Sequence, residues 1–147
     1  MSRYQLTYGV QEVAVRCVIY GVAGIGKTTL AAQFPNPIFI DMEGGSNQLP
    51  VARMPRPTAW EMLMDEIRDL RDGGVPCSTV VLDTADAAEE LCVSPLCSKH
   101  DWEGLESPGH GKGHTHLAAE DRKLPALLGE CVARHPTEAV VPHPHPR

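Results

Sequence analysis

The sequence predicts an α/β fold with a mainly parallel sheet flanked by helices, and three observations predict it. Short apolar, β-branched runs alternate with helix-patterned stretches, the order expected when parallel strands are joined by helical crossovers. The first of these runs passes straight into a glycine-rich turn and then a helix. The 147 residues suit one domain around one core. Composition agrees: 42% hydrophobic and 22% charged residues, with 13 Gly and 13 Pro, describe a loop-rich globular chain. No apolar run approaches the roughly 20 residues a membrane-spanning helix needs, so no membrane partner is expected. The start of the chain carries no secretory pattern. Five cysteines, an odd number without framework spacing, read as reduced and mostly buried thiols in a cytoplasmic protein. The net charge of −6 excludes a generic DNA-coating protein, while a local basic groove stays open.

In order along the chain, Val13–Tyr20 (VAVRCVIY) predicts a strand buried on both faces. Leu30–Phe34 is a short helix stopped by Pro35. Pro37–Asp41 (PIFID) is a second strand ending in Glu43-Gly44-Gly45, and residues 46–57 read as a loop. Thr58, with Glu61 three residues on, predicts a capping box opening a helix with Leu63, Ile67 and Leu70 on its apolar face. Gly73-Gly74 ends it. Ser78–Asp83 (STVVLD) is a third strand, followed by a helix over Ala85–Val93. Residues 98–116 read as a mobile loop around Gly109-His110-Gly111-Lys112-Gly113. Thr115 is expected to cap a last helix from Leu117, interrupted at Pro125. Residues 135–147 hold four prolines and three histidines, a tail that should not pack.

Gly21-Val22-Ala23-Gly24-Ile25-Gly26-Lys27-Thr28 fits G-x-x-x-x-G-K-[ST] at every fixed position, and Thr29 follows. Glycines let the backbone curl so that successive N–H groups face phosphate oxygens, with a helix N-terminus behind them. Lys27 would reach the β- and γ-phosphates of ATP, and the Thr28 hydroxyl would take one place on Mg²⁺. A buried strand before the motif and a helix after it are the context this chemistry requires. Residues 1–134 therefore read as a P-loop ATP-binding domain.

Asp83 ends an apolar run, where it suits either a second Mg²⁺-holding position or the N-cap of the next helix. Thr84 follows it, so the acidic pair that would polarise water there is missing. Glu43, just past the second strand, is then a candidate to orient water for in-line attack, or else a solvated turn acid. Asp41 could line the same edge.

The stretches IYGVAGIGKTTLAAQF at 19–34, IFIDMEGG at 38–45 and TVVLDTADAAEEL at 79–91 resemble a RecA-type ATPase core. In that superfamily the catalytic glutamate follows the strand after the phosphate loop, and a small hydroxyl residue follows the second-motif aspartate. Glu43 and Asp83-Thr84 match this. More narrowly, the chain is similar to RecA-core ATP-binding proteins of phage genomes associated with single-strand annealing and recombination. Those also carry Glu-Gly-Gly after the second strand and a Gly-x-Gly-Lys-Gly loop. The resemblance spans roughly residues 13–125. It implies a Mg²⁺-dependent ATPase with Lys27 and Glu43 as catalytic residues, single-stranded DNA as a partner, and hydrolysis coupled to homo-oligomeric assembly or to recombination partners. A complete core needs a further central strand with a polar sensor at its tip. Only Glu138–Val141, cut off by Pro142, offers one, with His143 where a sensor would stand. The expectation is a sheet incomplete at the C-terminus, without central pairing, in a truncated product.

Two rivals share the loop. A small-molecule or nucleotide kinase would need an arginine-rich lid, and the region after Asp83 offers Arg122 and Arg134. The other rival is a truncated nucleotide binder that does not hydrolyse. Cys92, Cys97, His100, His110, His114 and His116 form a weak zinc pattern, Cys-x4-Cys being looser than most zinc pairs, and Cys92 is expected on a buried helix face. Lys112 suits a contact with DNA or with a neighbouring subunit's nucleotide, or else a flexible solvated loop. Trp60 reads as core.

Overall fold

The computed structural model describes residues 3–11, 15–134 and 138–144. Among the described residues five parallel strands form one sheet: β1 (Arg16–Gly21), β2 (Pro37–Asp41), β3 (Ala52–Arg53), β4 (Thr79–Asp83) and β5 (Glu138–Pro144), in the order β1-β5-β4-β2-β3. The helices are α1 (Lys27–Ala31), α2 (Trp60–Arg71), α3 (Ala85–His100), α4 (Lys112–Asp121) and α5 (Lys123–Arg134). The α/β architecture expected from the alternating pattern is the one observed.

Two cores lie on opposite faces of the sheet. Ile38, Ile40, Val80 and Leu82 point into the larger one, where α2, α3, α4 and α5 contribute Leu63, Ile67, Cys92, Leu117 and Leu128. Phe39 and Val81 point the other way, onto Ala31 of α1. This split follows from the period of two along β2 and β4, whose central residues are apolar on both sides. All five residues of β4 are buried.

β1 departs from its expectation. Positions 13 and 14 of the predicted strand lie outside the described residues, and β1 alternates half-buried with exposed positions; Val18 and Tyr20 are 62% and 70% exposed. The reason is its place at the sheet edge, where only Cys17 and Ile19 reach a core, the smaller one. The expected tail, and the sheet without central pairing, are corrected over residues 138–144. There β5 lies between β1 and β4, pairing Cys17 with Val140 and Val81 with Val140. Ala139-Val140-Val141 has the strand-forming composition that the proline-rich surroundings obscure. Pairing with β4 stops at Val140, while β1 continues alongside through Pro144. His143 stands opposite Tyr20 in that register. The rest of the predicted tail, 135–137 and 145–147, lies outside the described residues.

Several helix boundaries also move. α1 starts at Lys27, because Gly26, at φ 98°, turns the chain directly into it. α2 starts at Trp60 with no side-chain cap: Thr58 Oγ1 meets Met62 Sδ at 3.9 Å, and the capping box does not form. The 3%-exposed Trp60 ring fixes that helix start in the core, as its reading as core implies. Its apolar face carries Leu63, Ile67 and Leu70, all buried. α3 runs through Pro95 to His100, since Leu96 and Cys97 beyond the proline are buried and hold the helix down. The expected loop over 98–116 therefore shrinks to 101–111. α4 begins at Lys112 behind the left-handed Gly111, and Thr115 bonds back to the Gly111 carbonyl inside the helix (3.3 Å). Pro125 sits in the first turn of α5, where its missing N–H costs no intrahelical bond.

Candidate functional site

The strand register brings the polar strand ends to one edge. Gly21 ends β1, Asp41 ends β2 and Asp83 ends β4, with Asp41 directly opposite Asp83. In open parallel sheets this carboxyl edge is where ligands bind. The Asp83 carbonyl accepts from the Met42 N–H at 2.8 Å, so β2 and β4 stay joined as they leave the sheet.

The Gly21–Thr28 segment loops over this edge, with Gly24 and Gly26 both in left-handed conformation (φ 79° and 98°) that other residues rarely adopt. Val22, Ala23, Gly24, Ile25 and Gly26 are exposed, as is Thr29, while Gly21, Lys27 and Thr28 are half-buried. The Lys27 ammonium folds over its own loop, donating to the Gly21 and Val22 carbonyls at 2.8 and 3.1 Å. Thr28 Oγ1 donates to Asp83 Oδ2 at 2.8 Å, joining residues 55 apart in sequence.

Asp83 is 3% exposed. Burial raises its carboxyl pKa above the ordinary range; the Thr28 hydrogen bond opposes this, the Asp41 charge adds to it and Lys27 opposes it. The helix-cap alternative for Asp83 does not occur. Thr84 is the N-cap of α3, its hydroxyl accepting from the Ala87 N–H at 3.3 Å. The Asp83 carboxylate is thereby left to Thr28. A hydroxyl and a carboxylate, both hard oxygen donors, fit Mg²⁺. Space beside them is kept by Gly45, where an added Cβ would stand 3.4 Å from Thr28 Oγ1 and 3.6 Å from Asp83 Oδ2.

Asp41, read only as a residue that could line the edge, organises it instead. Its Oδ1 accepts from the Glu43 and Gly44 N–H groups (3.1 and 2.6 Å), and its Oδ2 from the Ser46 N–H (2.8 Å) and the Ser46 hydroxyl. Burial acts to raise the Asp41 pKa, but these four bonds outweigh it and hold the carboxyl below its usual value. Glu43 projects from this turn as an exposed residue, two positions before the Gly45 that abuts Thr28 and Asp83.

The zinc pattern does not assemble around its cysteines. Cys92 is fully buried on α3 as expected, Cys97 is buried as well, and burial pushes the Cys92 thiol up to about 11. Among the described residues no three His, Cys, Asp or Glu side chains are grouped to hold a metal ion. His100 stacks on Trp102 with ring centroids 4.5 Å apart, and His116 meets both edge-on. Lys112, expected in a loop, is the first residue of α4.

A parallel α/β sheet with a glycine-rich phosphate loop after its first strand, and with that loop's hydroxyl on the acid of another strand, defines a P-loop ATPase core. Residues 14–134 match the family described as an AAA domain, and the chain belongs to that family. No curated protein matches the chain. Among the described residues no helix is long and apolar enough to cross a membrane.

Proposed function

We propose that the protein is a Mg²⁺-dependent ATPase of the RecA-like type, acting in the cytoplasm in phage-type DNA recombination or single-strand annealing. Gly21 to Thr29 cradle the phosphates of ATP, and Lys27 leaves its two loop carbonyls for the β- and γ-phosphate oxygens. Thr28 and Asp83 are the residues that would hold Mg²⁺, which would supply positive charge to offset that on the phosphate oxygens. The Glu43 carboxylate accepts a hydrogen bond from a water and aligns it with the γ-phosphorus. The water's oxygen forms the new bond to phosphorus as its proton passes by way of the Glu43 carboxylate to a phosphate oxygen, the bond to the β-phosphate oxygen breaks, and ADP and phosphate result. The observation that carries this reading is the 2.8 Å contact between Thr28 and Asp83, beside a turn that presents Glu43. The resemblance to phage recombination proteins supplies the biological setting. It also supplies single-stranded DNA as partner and a homo-oligomer in which a neighbour adds a basic residue.

Calorimetry with ATP and Mg²⁺ on the purified protein tests the loop. Lys27→Ala is expected to weaken binding by roughly a hundredfold through loss of a charge-assisted phosphate contact. Phosphate release should then rise when single-stranded DNA is added. Phosphoryl transfer to an added acceptor would instead make the protein a kinase, and binding without turnover a nucleotide binder.

A further inference from the structure

We propose that Asp41, Ser46 and Arg53 form a positioning relay that sets the Glu43 turn for hydrolysis. This rests on the hydrolytic reading above. The relay is continuous: the Ser46 hydroxyl donates to Asp41 Oδ2, and Ser46 Oγ in turn accepts from Arg53 Nε at 2.8 Å. Ser46 is completely buried and Asp41 is 6% exposed, so neither can exchange these bonds for bulk water. A buried carboxylate without partners would be costly; here every bond that satisfies it comes from residues 43 to 46.

Arg53 closes the far side. Beyond the Ser46 oxygen, its guanidinium donates to the carbonyls of Ser46, Leu49 (2.7 Å) and Val51 (3.2 Å), tying the whole of 46–51 to one side chain. That chain is held in place by β3, a two-residue strand whose pairing sets Arg53 opposite Phe39 of β2. Met54 adds a bond from its N–H to the Phe39 carbonyl at 2.8 Å. The short strand thus has a definite effect: it anchors the planar donor set that the turn is built on. A lysine, one compact charge, cannot reach those separated acceptors together.

The relay also separates two carboxylates that end adjacent strands opposite each other. Both Asp41 oxygens are occupied by the turn, whereas Asp83 Oδ2 faces Thr28. Asp41 therefore acts through the position of Glu43 and Gly45, and Asp83 is the acid beside the phosphate loop.

The test is steady-state ATP hydrolysis by the full chain with single-stranded DNA, comparing wild type with Arg53→Ala, Arg53→Lys and Ser46→Ala. Arg53 is exposed, so its variants should fold. The expected result for Arg53→Ala is a kcat lower by about tenfold, with KM and the calorimetric Kd for ATP within about twofold of wild type. Millimolar guanidinium should restore part of kcat in Arg53→Ala, and Arg53→Lys should stay low. Hydrogen exchange at the Gly44 and Ser46 amides should quicken in Arg53→Ala and Ser46→Ala. Wild-type kcat in Arg53→Ala, or equal loss of kcat and ATP binding, would overturn the relay while leaving the hydrolytic reading intact. A wild-type protein that binds ATP but releases no phosphate overturns that reading, and the relay with it.

Discussion

Lys27 bonds to the loop that carries it, which holds a flexible side chain over that loop, where the proposed function needs it. Its two carbonyl partners are neutral acceptors; a phosphate oxygen, being charged, makes the stronger bond. Gly113 shows a different single-residue constraint. A Cβ there would fall inside the Leu105 backbone, so only glycine allows α4 to pack where it does. Gly113→Ala is expected to lower stability by about 1–3 kcal/mol, because backbone rather than a side chain must move. Denaturant unfolding measures this, and an unchanged midpoint would show that the Leu105 segment yields without strain.

At the scale of elements, α2 carries an instructive conflict. Its buried face includes Glu66, 8% exposed, and neither carboxylate oxygen has a hydrogen-bond partner among the described residues. Burial pushes its pKa up from 4.5 to about 7. The folded state therefore holds this proton more tightly than the unfolded chain does. The corresponding stability is fully present below pH 4.5 and is lost progressively as pH rises towards 7. Glu66→Gln keeps the shape and cannot ionise, so its stability should not fall across that window. Above pH 7 it should exceed wild type by roughly 1–3 kcal/mol. Urea unfolding at pH 5 and pH 8 checks this, and parallel profiles for the two proteins would refute it. α3 makes a related point, since a proline that signals a stop in sequence is overridden by the burial of Leu96 and Cys97 just after it.

At the scale of the molecule, the sheet depends on β5, which joins the phosphate-loop strand to the strand of Asp83. Val140 is paired with Cys17 on one side and Val81 on the other. Val140→Pro removes a backbone donor from the middle of the sheet and should cost about 3 kcal/mol or more. The expected signs are a lower unfolding midpoint and weaker ATP binding together, because the loop hangs on β1. Unaltered stability would mean that β1 and β4 do not rely on β5.

The sequence by itself determined the phosphate loop, the strands ending in Asp41 and Asp83, and the α/β class. Each is written in contiguous residues: eight positions of one motif, and runs whose apolar period matches a buried parallel strand. The Thr84 cap, the Asp41 turn and the Arg53 anchor were decided only by tertiary structure. Thr84 and Asp83 are both acceptable caps in sequence, and the choice between them comes from a threonine 55 positions away. Arg53 sits in what reads as loop, and its role exists only because β3 pairs with β2 and turns it onto Ser46. β5 was legible only as the strand-like stub Glu138–Val141, and its extension through Pro144 and its place between β1 and β4 were not, because its partners are more than 50 residues distant and prolines surround it. Local pattern fixes elements through short-range sterics and periodicity, whereas buried polar partners are chosen by which strand ends the completed sheet brings together.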